Sequence, residues 1–186
     1  MSRALPARML RAARLDSSLY EEVEADRRSI RQAVVVVLLA SAAGALGAWL
    51  AGRTAPRVAA EFVEPFVVWL GGSVFAYMVG ATFFRGPDTE TDYAEVVRTV
   101  GFAYTPGLLR GLAFLPVVEL PAVGGIVLGV VIVFAADLWV LAAGIVAVRQ
   151  ALDFTTLRAV GTFGAAYVLL WIQIEGLLLF LAAALA

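Results

Sequence analysis

The stretch AVGGIVLGVVIVFAADLWVLAAGIVAV, residues 122–148, decides the fold class, because its one ionisable side chain is Asp137. A helix must contribute about 20 mostly apolar residues to cross the hydrocarbon layer of a bilayer, and this stretch is longer than that. Three further stretches read the same way. Gln32 to Gly52 carries no charge, Phe62 to Phe84 carries only Glu64, and Ala159 to Ala186 carries Gln173 and Glu175. Gly101 to Val118 is also long enough, about 27 Å at 1.5 Å per residue, yet it contains Pro106, Arg110 and Pro116. Each proline removes a ladder hydrogen bond, so this third span is the least secure as a straight helix and is expected to kink or break. The expectation is an all-α polytopic membrane protein with five transmembrane helices over about 32–52, 62–84, 101–118, 122–148 and 159–186. A cytoplasmic segment, residues 1–31, precedes them.

Composition points the same way. The chain is 62% apolar and 16% charged with a mean hydropathy of +0.90, whereas soluble domains run at roughly 45–50% apolar and about 25% charged. Histidine and cysteine are both absent. Their absence excludes a Cys/His zinc site, a disulfide, a His- or Cys-ligated haem and a Ser-His or Cys-His nucleophile pair. No phosphate-cradling loop exists either, since Gly71-Gly72-Ser73 and Gly124-Gly125 lie inside apolar spans. An enzyme is therefore not expected, nor a cofactor, a metal or a nucleic-acid partner.

Every basic residue is an arginine, and the arginines set the orientation. Arg3, Arg8, Arg11, Arg14, Arg27, Arg28 and Arg31 precede the first span; Arg85 and Arg98 follow the second, and Arg149 and Arg158 follow the fourth. Those regions share one side, while the other holds only Arg53 and Arg57. The N-terminus is expected in the cytoplasm and the C-terminus outside. No apolar stretch of signal-peptide type occurs before the first span.

Within 1–31, Ser18 with Glu21 reads as a capping box. Leu15, Leu19, Val23 and Ile30 fall near one face of the helix it would start. That helix is expected to lie along the cytoplasmic surface, either ending before span one or running on into it, since no Gly or Pro intervenes before Gly44. The Arg-rich first fourteen residues suit anionic headgroups, with a solvated tail as the alternative. Asp92 with Glu95 forms a second cap, and Asp153 and Thr155 offer a third. The acids of the 85–95 loop read as helix starts rather than metal ligands.

Tyr20-Glu21-Glu22-Val23-Glu24-Ala25-Asp26, Val97-Arg98-Thr99-Val100-Gly101-Phe102-Ala103-Tyr104-Thr105-Pro106 and Val148-Arg149-Gln150-Ala151-Leu152-Asp153-Phe154-Thr155-Thr156-Leu157-Arg158-Ala159 occur in that order around the spans. This combination resembles the bacterial branch of the Yip1 family over roughly residues 18–180. The resemblance implies an all-α five-helix membrane domain in the bacterial cytoplasmic membrane, without catalysis. It also implies a role in membrane organisation or partner binding. The family's eukaryotic members bind small Rab-type GTPases in vesicle trafficking, and a bacterial relative would lack those partners.

An ionisable group in hydrocarbon needs a partner or a purpose. Arg110 lies about 13 Å and Asp137 about 16 Å from the cytoplasmic ends of their spans. Opposite charges at matching depth predict an intramembrane ion pair. The pair either locks two helices, the preferred reading, or serves a proton or ion relay. Glu175 lies towards the outer leaflet near the level of Glu119, with Gln173 on another face, and carries no assigned role.

Small residues indicate where helices approach, because lipid gives no hydrophobic drive between them. Gly125 and Gly129 form a GxxxG pair, and Ala40, Gly44 and Ala48 repeat the spacing in span one. These faces join helices within one bundle or between two copies. Trp69, Trp139 and Trp171 read as lipid-facing or core filler, whereas Trp49 and Tyr20 sit where interfacial anchors belong. The preferred function is a scaffold for a membrane or cytoplasmic protein, working through the amphipathic helix and the 85–98 and 149–158 loops. The rival is a small-solute or ion/proton transporter built on Arg110 and Asp137, since Pro106 and Pro116 give span three an interrupted look.

Overall fold

The computed structural model describes residues 4–83, 92–120 and 122–184, with 118, 122, 171 and 173–184 described by backbone alone. These residues form helices and no strand. Two short helices come first: α1 (Leu5–Ala13), with Pro6 in its first turn, and α2 (Ser17–Ala25). The Arg-rich segment, for which a solvated tail was the alternative, is therefore helical from Leu5 to Ala13. Leu15 joins the two helices at φ 59, a left-handed conformation that lets the Leu15 and Asp16 amides bond back to the carbonyls of Ala12 and Arg11. Leu15 accordingly stands outside the apolar face of α2. The cap of α2 is Asp16, not Ser18: its Oδ1 accepts the Ser18 amide at 3.0 Å.

α2 does not continue into the first long helix. Asp26 is extended, and its Oδ1 takes the Arg28 amide at 3.0 Å, offering the backbone an alternative to the helical ladder. The chain turns there and starts α3 (Ser29–Leu50), followed by α4 (Ala55–Phe83). After residues 84–91, which include Arg85 and lie outside the described residues, comes α5 (Tyr93–Ala103). Its capping box is complete, with Asp92 taking the Glu95 amide and Glu95 the Asp92 amide, each at 2.9 Å.

The third apolar stretch is not one helix. α5 gives way to a 3₁₀ segment (Thr105–Leu112) and then to the short α6 (Phe114–Glu119). Pro106 has no amide to offer the Phe102 carbonyl, and the Thr105 hydroxyl donates to that carbonyl at 2.8 Å instead. Two long helices complete the chain, α7 (Ala122–Ala151) and α8 (Thr156–Ala184). Among the described residues four stretches are long and apolar enough to span a bilayer: Ser29–Leu50, Ala55–Phe83, Tyr93–Val117 and Val123–Ala151. In α8 the apolar portion so described is Thr156–Leu170.

Close packing follows the glycines. A Cβ on Gly47 would lie 3.0 Å from the Arg110 carbonyl oxygen, and one on Gly111 would lie 3.1 Å from that of Ala43. The 3₁₀ segment thus rests backbone to backbone on α3 through Gly47 and Gly111, while Gly44 faces Glu61 of α4. On α7, Gly125 and Gly129 admit the backbone of Pro116 and Ala113. Both small-residue faces are used within the chain.

The densest core lies at the end that carries the N-terminal helices. There Leu19, Tyr20 and Val23 of α2 pack with Ala33, Val36, Val37, Val96, Val148 and Leu152. α2 therefore packs on α5 and α7, where a helix along the membrane surface was expected. Tyr20, expected as an interfacial anchor, is fully buried, with its hydroxyl 3.4 Å from the Ala12 carbonyl. Away from this end the outer surface is apolar, with Val34, Leu38, Val63, Val67, Val127, Val131 and Phe134 all exposed. Such a surface suits hydrocarbon and not water.

Candidate functional site

Arg110 comes from the 3₁₀ segment and Asp137 from the middle of α7. Arg110 Nε donates to Asp137 Oδ1 at 2.7 Å, and Nη2 approaches the same oxygen at 2.5 Å. The close seat of the 3₁₀ segment on α3 fixes where Arg110 starts; the Gly129 contact draws α7 towards the same segment. The pair is not sealed in the protein, since the side chains retain 21% and 42% of their exposure. Arg110 and Asp137 line two cavities.

The first cavity, about 370 Å³, is lined by Arg53, Arg57 and Glu61 together with Arg110 and Asp137. The second, about 360 Å³, is lined by Glu64, Tyr104, Phe163 and Tyr167 beside the same pair. Pro65, inside α4 and buried, lines the second cavity and leaves the Glu61 carbonyl without its helical amide partner. Pro106 is buried at the start of the 3₁₀ segment and Pro116 lies in α6. The two prolines therefore bracket the departure from α-helix that carries Arg110. The side chains of Gln173, Glu175 and Trp171 lie outside the described residues, and Glu119 is exposed at the end of α6.

A second polar constellation holds the N-terminal helices. Arg8, only 1% exposed, donates to Glu22 Oε1 at 2.6 and 3.1 Å, to Gln32 Oε1 at 2.7 Å and to Asp26 Oδ2 at 3.3 Å. One guanidinium thereby ties α1, α2 and α3 together. Arg11 donates to Asp16 Oδ2 at 2.7 Å and to Glu22 Oε2 at 2.8 Å. The Arg11 guanidinium, with Arg8 adding to it, holds the Glu22 carboxyl below the usual range; Arg11 and then Ser18 do the same for Asp16. Glu24 is pushed the other way, up to about 7, first by burial and then by the negative charges of Asp153 and Glu95. Burial likewise raises the Tyr20 hydroxyl.

Arg98 and Trp139 make polar contacts at this end that their sequence reading does not include, and Trp69 takes the core place that is one of its two expected readings. Arg98 belongs to α5 rather than to a loop; it is 5% exposed and its Nη2 donates to the Glu24 carbonyl at 2.7 Å. Trp139 donates its indole N–H to the Ala13 carbonyl at 2.8 Å, closing the end of α1 on α7. Trp69 is buried and donates to the Val97 carbonyl at 2.9 Å, joining α4 to α5. Trp49 stays 65% exposed at the end of α3. Nothing in the sequence singles out Arg8 among seven N-terminal arginines. The available signal was the run of acids at Glu22, Glu24 and Asp26, which exceeds what a solvated helix face needs.

No match to the chain is found among the curated proteins or among the solved structures. The sequence profile of the Yip1 domain matches residues 16–183, from the cap of α2 almost to the end of α8. With a helical membrane architecture and a profile match over nearly its whole length, the chain belongs to the Yip1 domain family.

Proposed function

We propose that this protein is a five-span, non-enzymatic scaffold of a bacterial cytoplasmic membrane, with α8 as its fifth span, its N-terminus in the cytoplasm and its C-terminus outside. It engages a second membrane or cytoplasmic protein through the end that carries α1 and α2. The observation behind this reading is the way Arg8 and Arg11 consume the inner acids of that end. What remains outward is a firm rim of exposed Arg14, Arg27, Arg28, Arg31, Glu21 and Asp153. A pre-organised polar face costs little ordering entropy on binding, which favours a protein partner. The test is proximity labelling from native membranes, with wild type beside the R27E/R28E/R31E variant. A partner enriched by the wild type and lost by the variant is expected. Recovery of the protein alone, or an identical partner set from both, overturns the reading.

The two cavities that meet at Arg110 and Asp137 favour a second reading, a transporter whose charged pair is the barrier. Proteoliposomes loaded with a pH-sensitive dye separate the two. Flux that disappears in Asp137→Asn or Arg110→Leu supports transport, and a dye signal equal to that of empty vesicles removes it.

A further inference from the structure

At the end of the bundle opposite the N-terminal helices, the turn between α3 and α4 presents Arg53 and Arg57. Both are exposed, and neither forms a salt bridge among the described residues. They line the cavity whose floor is the Arg110–Asp137 pair. Counting Glu61, three guanidiniums face two carboxylates there, so the cleft carries one net positive charge. Its other wall is apolar and open to the outside of the bundle, formed by the exposed Ile126, Val130 and Phe134 of α7. From Ile126 to Asp137 that wall runs about 16 Å along the helix.

We propose that this cleft binds one anionic phospholipid, with its phosphodiester on Arg53 and Arg57 and an acyl chain against Ile126, Val130 and Phe134. A guanidinium matches a phosphate with two parallel N–H donors. A single phosphodiester brings the cleft to neutrality, and Glu61 disfavours the second negative charge of a phosphomonoester. A water-soluble anion would find no use for a wall open to hydrocarbon. The Arg110–Asp137 pair neutralises the floor, so the headgroup is held at the level of the α3–α4 turn. The site is independent of the scaffold reading, being at the other end of the molecule.

The experiment is native mass spectrometry of the full chain in detergent, titrated with phosphatidylglycerol, phosphatidylethanolamine, diacylglycerol or inorganic phosphate. Phosphatidylglycerol is expected to be retained in preference to the other three. R53A/R57A is expected to weaken that retention about thirtyfold, from about fivefold per arginine near a membrane surface, while R53K/R57K loses less. Both side chains are exposed, so these variants leave the fold intact. Val130→Trp, which narrows the apolar wall without touching a charge, is expected to reduce retention as well. Equal retention by R53A/R57A or by Val130→Trp overturns the proposal, as does diacylglycerol or phosphatidylethanolamine binding as well as phosphatidylglycerol. Displacement of the lipid by excess inorganic phosphate assigns the arginines to a soluble anion and overturns it too.

Discussion

A guanidinium that is 1% exposed keeps its charge by filling its donors, and Arg8 does so with Glu22, Asp26 and Gln32. Removing it leaves two carboxylates facing each other across a tight joint. Arg8→Leu is expected to cost about 2–3 kcal/mol, the scale of hydrogen bonds to charged groups, and to speed tryptic cleavage at Arg14; Arg8→Lys, with a point charge in place of a fork, is expected to restore little. Unchanged melting and cleavage would show that the N-terminal helices are held by packing alone. Glu24 makes the same region sensitive to pH. Its carboxyl titrates near 7 in the folded protein, raised by burial, Asp153, Glu95 and Glu21 and opposed by Arg98. The folded state therefore binds more protons than the unfolded one between about 4.5 and 7, and stability falls as pH rises through that window. Glu22 and Asp16, lowered by their arginines, lose their contribution only below that window. The protection of the α2 amides, taken relative to their intrinsic exchange rate at each pH, is expected to be greater at pH 5 than at pH 7.5, on the order of 1 kcal/mol after solvent screening. A Glu24→Gln variant should show no such difference.

At the scale of elements, the departure from α-helix between Tyr104 and Phe114 places Arg110. Prolines announce it in the sequence, but its seat depends on Gly47 and Gly111, which let two backbones meet. Gly47→Val would push the Arg110 carbonyl away and is expected to lower stability by about 1–3 kcal/mol, an overpacking cost. Gly124 meets nothing within 4 Å, so Gly124→Ala in α7 is the control that should leave thermal unfolding in detergent unaltered. Equal melting of both variants would deny the close approach. The Asp92–Glu95 cap was legible because all its parts lie within four residues. The start of α2 was misread by two residues because Asp16 and Ser18 both offer caps, and the left-handed turn at Leu15 decides between them.

For the whole molecule, the proposed five-span arrangement, read with the arginine excess, puts the two ends of the chain on opposite sides. The absence of cysteine makes this directly measurable. Single cysteines at Ser18, at Thr54 and appended after Ala186 are expected to react from the cytoplasm, from outside and from outside, respectively. A terminal cysteine reacting from the same side as Ser18→Cys would leave four spans and turn α8 back. Three of the apolar stretches, those of α3, α4 and α7, were readable without any partner, since a span must satisfy its own backbone within one helix. The depth match between Arg110 and Asp137 was readable for the same reason: rise per residue converts position into height.

The sequence by itself determined the solvent this protein lives in, the stretches that enter it and the opposite charges at one depth. Each of these is a local property of a chain forced to be helical in lipid. Only the tertiary structure decided that α1 and α2 fold back on α5 and α7, that Arg8 and Arg98 are buried, and that Trp139 meets a carbonyl 126 residues away. Those outcomes depend on partners brought together by packing, and no spacing along the chain encodes which of many arginines or tryptophans will find one.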